Sequence, residues 1–459
     1  MTKFNVIRNL SVAQQISASF ISVILIGSLL LSLPITQYDN APATSYLDHL
    51  FNTVSMVCVT GLSVFPIGDV YNGLGQFLVM CLMQIGGLGL VSLIAFSYYS
   101  INRRMSLRQQ EILQSSIGNN SSADLRHYLF RIYKITFAIE CLAALTLMID
   151  FVPRFGWQNG VFNSFFLAVS AFCNAGFDNL GSTSLIHYKL NWIVNLVVAF
   201  SIISGGLGFR NWMALIDLAK SWFKASPHKL SLLKRNLTIQ TRLVLTTTAI
   251  ILVIGTLLAW ILEQDNPGTI GSLSFYHQVL VSFFQTVTMR TAGFATIDYT
   301  KAGNAVNFIF MIQMLIGGAP GGTAGGLKVI VTAITFLIFR SEFLGQTQVS
   351  VYNRTIPTRI VKQTLTILIF FFVILVIGYI CLLEFEPNIS PFRLFFEACS
   401  ALATVGVSMD VTSHLSTAGR WVIMALMFFG RVGPITVLLS LRQKSKQTIN
   451  YARVDLTLG

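Results

Sequence analysis

One apolar stretch decides the fold, Phe395-Phe396-Glu397-Ala398-Cys399-Ser400-Ala401-Leu402-Ala403-Thr404-Val405-Gly406-Val407. The stretch is compatible with a helix, but it is shorter than the roughly 20 residues that cross a bilayer. It ends in a Thr-Val-Gly turn, and irregular backbone is tolerated at membrane depth only where it lines a cavity. We therefore interpret it as a pore half-helix followed by one wall of an ion-selectivity filter.

The chain contains this unit four times. Each copy is an apolar run that ends at a glycine, and the four glycines are Gly61, Gly176, Gly293 and Gly406. They follow one another at intervals of 115, 117 and 113 residues. A short motif at nearly constant spacing indicates internal repeats. A single copy would be interpreted as an ordinary core helix, and the fourfold recurrence argues against that alternative.

The composition is that of a membrane protein. The chain has 459 residues, of which 11% are charged, and its mean hydropathy is +0.68. A soluble chain would carry roughly 25% charged residues. Because the apolar runs are long rather than alternating, we predict an all-α polytopic membrane protein and not a barrel. The six cysteines are scattered without a C-x-x-C pair, so they predict neither a disulfide framework nor a metal site.

Each repeat is predicted to consist of an outer helix, a half-helix, a filter turn and an inner helix. The predicted repeats span 10–101, 127–215, 240–340 and 358–443, and a tail follows at 444–459. The predicted outer helices are Ala13–Leu33, Tyr128–Phe151, Arg242–Leu262 and Ile360–Leu383. The half-helices are expected to begin near Leu47, Phe162, Phe275 and Pro391. The predicted inner helices are Leu74–Tyr99, Leu190–Leu215, Asn304–Phe339 and Ala418–Leu441. Together they make four parallel repeats around a central pseudo-fourfold cation pore.

The charges divide between the two sides of this topology. Most of the 31 Lys and Arg residues fall in the tails and in linkers near 101–127, 216–240 and 341–358. The opposite side carries acidic residues, namely Asp39, Asp69, Asp150, Asp178, Glu263, Asp265, Asp298, Glu384, Glu386 and Asp410. The positive-inside rule then predicts a multi-pass protein with both termini in the cytoplasm. This distribution explains the net charge of +13 without nucleic acid, and the acidic face would concentrate cations.

The repeated turns have the chemistry of a cation filter. A pore must replace the water around a cation with oxygen ligands, and backbone carbonyls supply them. Glycine permits the φ values that such a turn needs, and the C-terminal end of each half-helix favours a cation. The candidate carbonyl donors are Val59, Thr60, Gly61, Asn174, Ala175, Gly176, Thr291, Ala292, Gly293, Thr404, Val405 and Gly406.

Glycines also recur inside the inner helices, 24 to 29 residues after each filter glycine. In the first two repeats, Gly86-Gly87-Leu88-Gly89 and Gly205-Gly206-Leu207-Gly208 are expected to allow close helix packing. The third copy is longer and cannot hold a stable helix. We predict a gating loop at 317–328 that breaks this inner helix alone, with a rigid kink as the alternative. Its candidate gate residues are Gly317, Gly318, Ala319, Pro320, Gly321, Gly322, Thr323, Ala324, Gly325, Gly326 and Lys328.

Arg431 stands in the fourth repeat where the other repeats have Gly87, Gly206 and Gly318. An arginine within the membrane is costly and faces a cavity or a partner. We predict that Arg431 acts at the gate, as a barrier to cations or as a partner of the loop carbonyls, with a structural salt bridge as the alternative. Lys328 is expected to anchor the loop through carbonyl hydrogen bonds. Arg290 and Glu397 adjoin the pore segments, and no transport role is predicted for either.

These residues resemble the Trk/Ktr/HKT superfamily of potassium transporters, and most closely its bacterial Ktr-type membrane subunit. The resemblance covers about residues 10–443 and rests on the four single-glycine filters, the glycine-rich break and Arg431. In addition, Thr404-Val405-Gly406 is similar to the start of the Thr-Val-Gly-Tyr-Gly filter of potassium channels.

The resemblance implies uptake of K⁺, bound at the filter carbonyls, across the bacterial cytoplasmic membrane by a homodimer with one pore per subunit. It also implies a cytosolic regulatory ring of RCK-type nucleotide-binding domains as a separate chain, contacts with membrane lipid, and Na⁺ as a candidate activator. No organic cofactor is expected in this chain. In plant relatives a serine at the first filter glycine accompanies Na⁺ preference, so Gly61 favours K⁺.

Three alternative functions compete with this interpretation. An ion-coupled symporter of an organic solute would usually show inverted repeats and paired broken helices. A membrane-embedded enzyme is not expected, because the sequence has no H-E-x-x-H or G-x-S-x-G motif. A Na⁺-conducting or Na⁺/H⁺-coupled transporter of the same architecture remains the alternative function.

Overall fold

The structure is a computed structural model that describes residues 12–89, 92, 95, 125–181, 183–224 and 237–433. The predicted tail at 444–459, most of the linker near 101–127 and much of the linker near 216–240 lie outside the described residues. Within the described part the regular elements are helices, apart from a hairpin in the third linker, where Ser350–Val351 pairs antiparallel with Arg354–Thr355. The fold is all-α, as predicted.

The outer helices form the periphery of the molecule. They are Val12–Leu31, the first part of Leu125–Cys173, Ile239–Glu263 and Thr358–Phe385. In the described part of the chain, these four helices are long and apolar enough to cross a membrane, and a bent pair in repeat 2 would add a fifth span. Large apolar side chains such as Ile149, Val253 and Ile380 face outward and are more than half exposed. Such a belt is stable only in an apolar surrounding.

The half-helices lie inside this periphery. They are Tyr46–Cys58, the second part of Leu125–Cys173, Phe275–Thr288 and Pro391–Leu402. In repeat 1, Ser45 caps the half-helix and forms a capping box with Asp48. In repeat 2 the outer helix runs into the half-helix through a kink at Gly156, whose φ of 77° is non-helical. Three of the half-helices carry a run of fully buried residues up to the C-terminal end, so these ends point at the centre of the molecule.

The inner helices end earlier than predicted in repeats 2 and 3, and the predicted ends at Tyr99 and Leu441 lie outside the described residues. The inner helices are Gly73–Leu88, Trp192–Gly206, Asn304–Leu315 and Thr417–Val432. Glycines in the left-handed region follow three of them, with φ values of 82° at Gly89, 82° at Gly208 and 86° at Gly433. After Gly208 the chain turns by 104° into Phe209–Lys224. The prediction of an unbroken helix over Leu190–Leu215, with a break in repeat 3 alone, was therefore wrong.

The predicted break in the third inner helix is present. Residues 316–328 form no helix. A single parallel β-bridge joins Ile316 to Leu327 across the base of this segment. The helix resumes at Val329–Phe343.

Close helix packing was expected of the glycine clusters in the first two inner helices, and the structure confirms it at Gly86 and Gly205. A Cβ atom on Gly86 would overlap the carbonyl oxygen of Val57, and one on Gly205 would overlap that of Phe172. Each oxygen belongs to the last turn of a half-helix. Glycine therefore lets the inner helix lie directly against the end of the half-helix, which fixes the position of the turn that follows.

Candidate ion pathway

Each half-helix ends in a three-residue turn at the centre of the molecule. We call these tripeptides the axial turns, and they are Val59-Thr60-Gly61, Asn174-Ala175-Gly176, Thr291-Ala292-Gly293 and Thr404-Val405-Gly406. In all four, the first residue and the glycine have positive φ. The first residues have φ values of 56°, 59°, 65° and 53°, and none of them is glycine. Left-handed backbone at a β-branched residue such as Val59 is strained.

The four glycines of the axial turns form a closed ring. Each glycine faces the carbonyl oxygen that precedes the glycine of the next repeat: Gly61 faces Ala175, Gly176 faces Ala292, Gly293 faces Val405 and Gly406 faces Thr60. A Cβ atom on Gly176 would lie 2.6 Å from the facing oxygen, and one on Gly61 would lie 2.9 Å from it. The order runs through repeats 1, 2, 3 and 4 and returns to 1. The glycine and the preceding residue of each predicted filter wall therefore surround one axis, in the order that pseudo-fourfold symmetry requires.

The half-helices hold the N–H groups behind the axial turns. The side-chain oxygen of Ser55 accepts a hydrogen bond from the N–H of Gly61 at 3.0 Å, and Ser400 does the same for Gly406 at 3.0 Å. Ser170 accepts from the N–H of Phe177 at 3.0 Å. Because these N–H groups bond to the half-helices, the carbonyl groups of the axial turns remain free to face the axis.

The serines were missed at the sequence level, although each stands six residues before a ring glycine. The third repeat has Val287 at this place. There the N–H of Ala292 donates to the carbonyl of Thr288 at 2.9 Å instead.

Three threonine hydroxyls add side-chain oxygens to the axial turns. The Oγ1 atoms of Thr60, Thr291 and Thr404 are buried and have no hydrogen-bond partner among the described residues. A buried hydroxyl without a partner is costly. Oxygen atoms are the ligands that alkali cations require, so these hydroxyls fit a pathway that carries a cation.

The glycine-rich loop at 317–328 lies directly beside the axial turns. A Cβ atom on Gly326 would lie 3.1 Å from the carbonyl oxygen of Ala403, and one on Gly325 would overlap the hydroxyl of Thr404. The Thr323 hydroxyl donates to the carbonyl of Phe172 at 3.0 Å. The loop therefore lies against the axial turn of repeat 4, and only glycine fits where the two meet.

Backbone hydrogen bonds attach this loop to the second inner helix. The N–H of Thr323 donates to the carbonyl of Gly205 at 3.1 Å, and that of Ala319 donates to Gly206 at 2.8 Å. The N–H of Phe209 donates to the carbonyl of Gly321 at 3.1 Å. The bend at Gly208 makes these bonds possible, so the two breaks in the inner helices are parts of one arrangement.

Two basic side chains hold the loop. The Lys328 ammonium donates to the carbonyl of Ala324 at 2.6 Å, which is the anchoring contact expected from the sequence. Arg431 donates to the carbonyls of Thr323 and Gly86, and to that of Gly87 at 3.0 Å. Its partners in the described part of the chain are thus backbone carbonyls. Loop carbonyls were one of the partners expected for Arg431 from the sequence. Arg431 connects the loop to the C-terminal end of the first inner helix, where a positive charge is favoured.

A vestibule of about 620 Å³ opens on the other side of the ring. The four ring glycines line it together with Asp178, Asp298 and Asp410, which the sequence placed on one face. Burial raises the pKa of Asp178 to about 6, against hydrogen bonds from the Leu180 N–H and from Ser184 that lower it. Partial burial would also raise the pKa of Asp298, but hydrogen bonds from Thr300 and the Lys301 ammonium lower it overall. The vestibule therefore carries negative charge at neutral pH.

Comparison with known proteins gives a consistent result. The chain matches the family model TrkH, described as a cation transport protein, over residues 8–451. It is 35% identical to the potassium/sodium uptake protein NtpJ of Enterococcus hirae, with 100% of this chain and 99% of the relative covered. It is 34% identical to the Ktr system potassium uptake protein B of Vibrio alginolyticus, with 96% and 93% covered.

The described fold also matches a solved structure. The crystal structure of the potassium transporter TrkH from Vibrio parahaemolyticus aligns with a TM-score of 0.72 over 94% of this chain and 84% of that one. Because the two sequences are 18% identical, this match supports the fold alone.

Proposed function

The chain belongs to the TrkH family of cation transport proteins, and we propose that it takes up potassium ions through the ring of axial turns. The observation that carries this proposal is the closed order of the four glycines, each facing the carbonyl oxygen of the next repeat. Relatives that match over almost their whole length are named for uptake of potassium, or of potassium and sodium. The family members are ion transporters and not enzymes.

In this proposal the axial turns are the selectivity filter. A cation that leaves water needs oxygen ligands in its place. The carbonyls of the axial turns provide them, and the threonine hydroxyls provide more. The four half-helices add the negative ends of their dipoles at the same point. The acidic vestibule would raise the cation concentration in front of the filter.

The glycine-rich loop and Arg431 form the gate in this proposal. The loop lies against Thr404 and Ala403 at one end of the filter. Arg431 ties the loop to the first inner helix, and its charge repels cations that would pass. Opening requires that these hydrogen bonds break and that the loop moves aside.

The assembly follows from the family resemblance. We propose a homodimer in the bacterial cytoplasmic membrane with both termini in the cytoplasm, controlled by a separate RCK-type nucleotide-binding ring. The distribution of basic linkers supports the orientation. Those linkers offer positive charge to a regulatory ring or to anionic membrane lipid.

A second candidate is a transporter that conducts Na⁺ or couples K⁺ to Na⁺ or H⁺. The name of the Enterococcus hirae relative, which includes sodium, favours keeping this candidate.

Tracer uptake into proteoliposomes separates the two. We expect Rb⁺ uptake that K⁺ competes away and that exceeds Na⁺ uptake, with weaker discrimination in Gly293→Ser. Equal Rb⁺ and Na⁺ uptake, unchanged in Gly293→Ser, would contradict the potassium filter. If neither ion is taken up, the assay is repeated with a regulatory ring added.

A further inference from the structure

A polar side chain of every half-helix bonds to the chain that leaves its axial turn. We call these contacts the braces. Asn52 accepts from the N–H of Val64 at 3.0 Å, Asn163 accepts from the Asn179 amide at 2.7 Å, Gln285 donates to the hydroxyl of Thr296 at 2.7 Å, and Glu397 accepts from Ser408 and Thr412. In the first three repeats the braced residue lies three positions after the ring glycine. The braces therefore connect a rigid element to the segment that positions each filter wall.

The brace of the fourth repeat differs because its side chain is ionisable. Like Gln285, which also accepts a hydrogen bond from the Tyr299 hydroxyl, it bonds two residues of the chain that follows its axial turn. Glu397 is fully buried. The Ser408 hydroxyl donates to one of its carboxyl oxygens at 2.7 Å, and the Thr412 hydroxyl donates to the other. Ser408 in turn accepts from the N–H of Val411 at 3.1 Å. One side chain thus holds the whole exit segment 408–412, immediately after Gly406.

The wall that Glu397 holds is the most crowded part of the ring. A Cβ atom on Gly406 would lie 2.8 Å from the Cα atom of Gly61 and would overlap the carbonyl oxygen of Thr60. The other glycines leave slightly more room to the facing oxygen. A displacement of the 408–412 segment would therefore be transmitted directly to the position of the Thr60 carbonyl.

We propose that Glu397 is a positioning residue for ion selectivity. It fixes the fourth filter wall by bonding Ser408 and Thr412, and it does not touch the ion. This inference rests on the proposed function, because it concerns the discrimination between K⁺ and Na⁺ at the same ring. Its consequence is that selectivity depends on two hydroxyls outside the axial turns.

The test removes the two hydroxyl donors and leaves the carboxylate in place. Ser408→Ala and Thr412→Val each delete one hydrogen bond with little change of volume. The double variant deletes both. Rb⁺ and Na⁺ uptake are measured in proteoliposomes, and the melting temperature in detergent reports the fold. A hydrogen bond to a charged group corresponds to about tenfold in an equilibrium constant. We therefore expect the Rb⁺/Na⁺ uptake ratio to fall by up to about tenfold in each single variant and by up to about a hundredfold in the double variant.

Further variants show whether the charge of Glu397 matters for discrimination, and whether any substitution lowers discrimination by disturbing the fold. Glu397→Gln keeps the shape and can still bond both hydroxyls, so we expect it to retain more discrimination than Glu397→Leu. Thr366→Val removes a hydroxyl that donates to the carbonyl of Lys362 on the same outer helix, so it leaves the braces and the vestibule unchanged. We expect its Rb⁺/Na⁺ ratio to equal that of the wild type.

The outcomes distinguish this inference from the proposed function. If the wild type itself does not prefer Rb⁺ to Na⁺, the proposed function fails and the inference with it. If the wild type discriminates and the folded single and double hydroxyl variants keep the same ratio, the inference alone is overturned.

Discussion

Replacing Gly406 by alanine adds one methyl group to the most crowded point of the ring. The new Cβ atom would overlap the carbonyl oxygen of Thr60 and would lie 2.8 Å from the Cα atom of Gly61. The backbone at this position has φ of 97°, which L-residues rarely adopt. The change is small in volume, but the structure leaves it no room.

The expected magnitude follows from two contributions. Left-handed backbone costs an alanine about 1–2 kcal/mol, and forcing a methyl group into a packed site costs about 1–3 kcal/mol. Only the second contribution acts on the Thr60 carbonyl. If the Thr60 carbonyl moves far enough to relieve the whole collision with the methyl group, the preference for K⁺ over Na⁺ falls by a factor of about 5–150.

The matched control is Gly345→Ala. Gly345 also has positive φ, of 62°, but no atom lies within 4 Å of the place that a Cβ atom would occupy there. This variant therefore carries the backbone strain without the collision. Rb⁺ and Na⁺ uptake are measured for both variants in proteoliposomes, together with the melting temperature. We expect both proteins to lose stability and only Gly406→Ala to lose discrimination.

One result would refute the reasoning. If folded Gly406→Ala protein kept the Rb⁺/Na⁺ ratio of the wild type, the glycines would not form the wall that selects the ion. Equal loss of discrimination in Gly345→Ala would show instead that general destabilisation explains the effect.

Three further predictions concern the gate, the vestibule and the packing. Arg431→Ala removes the donor that ties the loop to the first inner helix, so we expect Rb⁺ uptake to rise about tenfold; unchanged uptake in a folded variant would argue against a gate. Because the pKa of Asp178 is raised to about 6, its carboxyl is neutral below that pH and charged above it. Uptake at low Rb⁺ should then rise as the pH increases through 6, and this step should be missing in Asp178→Asn. Gly86→Ala should lower the free energy of unfolding by about 1–3 kcal/mol, because its methyl group overlaps a half-helix carbonyl. Gly73→Ala lies in open space and should raise it by up to about 1 kcal/mol. Melting temperatures in detergent compare the two variants.

The ring could be predicted because its evidence is periodic. Four glycines at nearly equal intervals, each after an apolar run, mark the same point of a repeat without any knowledge of contacts. Lys328 and Arg431 could be identified for a related reason, since a charge is costly inside the membrane and must have a partner. The structure supplies carbonyls as those partners.

The bend at Gly208 could not be predicted from local sequence. Gly86-Gly87-Leu88-Gly89 and Gly205-Gly206-Leu207-Gly208 are the same four residues, and in both the helix ends just before the last glycine. In repeat 2 the new direction is held by the bond from Phe209 to Gly321, a residue more than 100 positions away in the chain. Such a contact is visible only once the loop has been placed.

The braces were missed because they share a role and not a pattern. Asn52, Asn163, Gln285 and Glu397 comprise three types of side chain and stand 9, 13, 8 and 9 residues before their ring glycines. From the sequence, Glu397 was assigned no part in transport. In the structure Glu397 is buried and accepts hydrogen bonds from the hydroxyls of Ser408 and Thr412. The sequence does not identify these two partners.

The most direct test of the account is to locate the ion. A crystal structure grown with Rb⁺ in place of K⁺ would show the ion by its anomalous scattering. The account predicts Rb⁺ on the axis of the ring, in contact with the carbonyl oxygens of Thr60, Ala175, Ala292 and Val405. Rb⁺ density confined to the vestibule or to other sites, with none inside the ring, would contradict it.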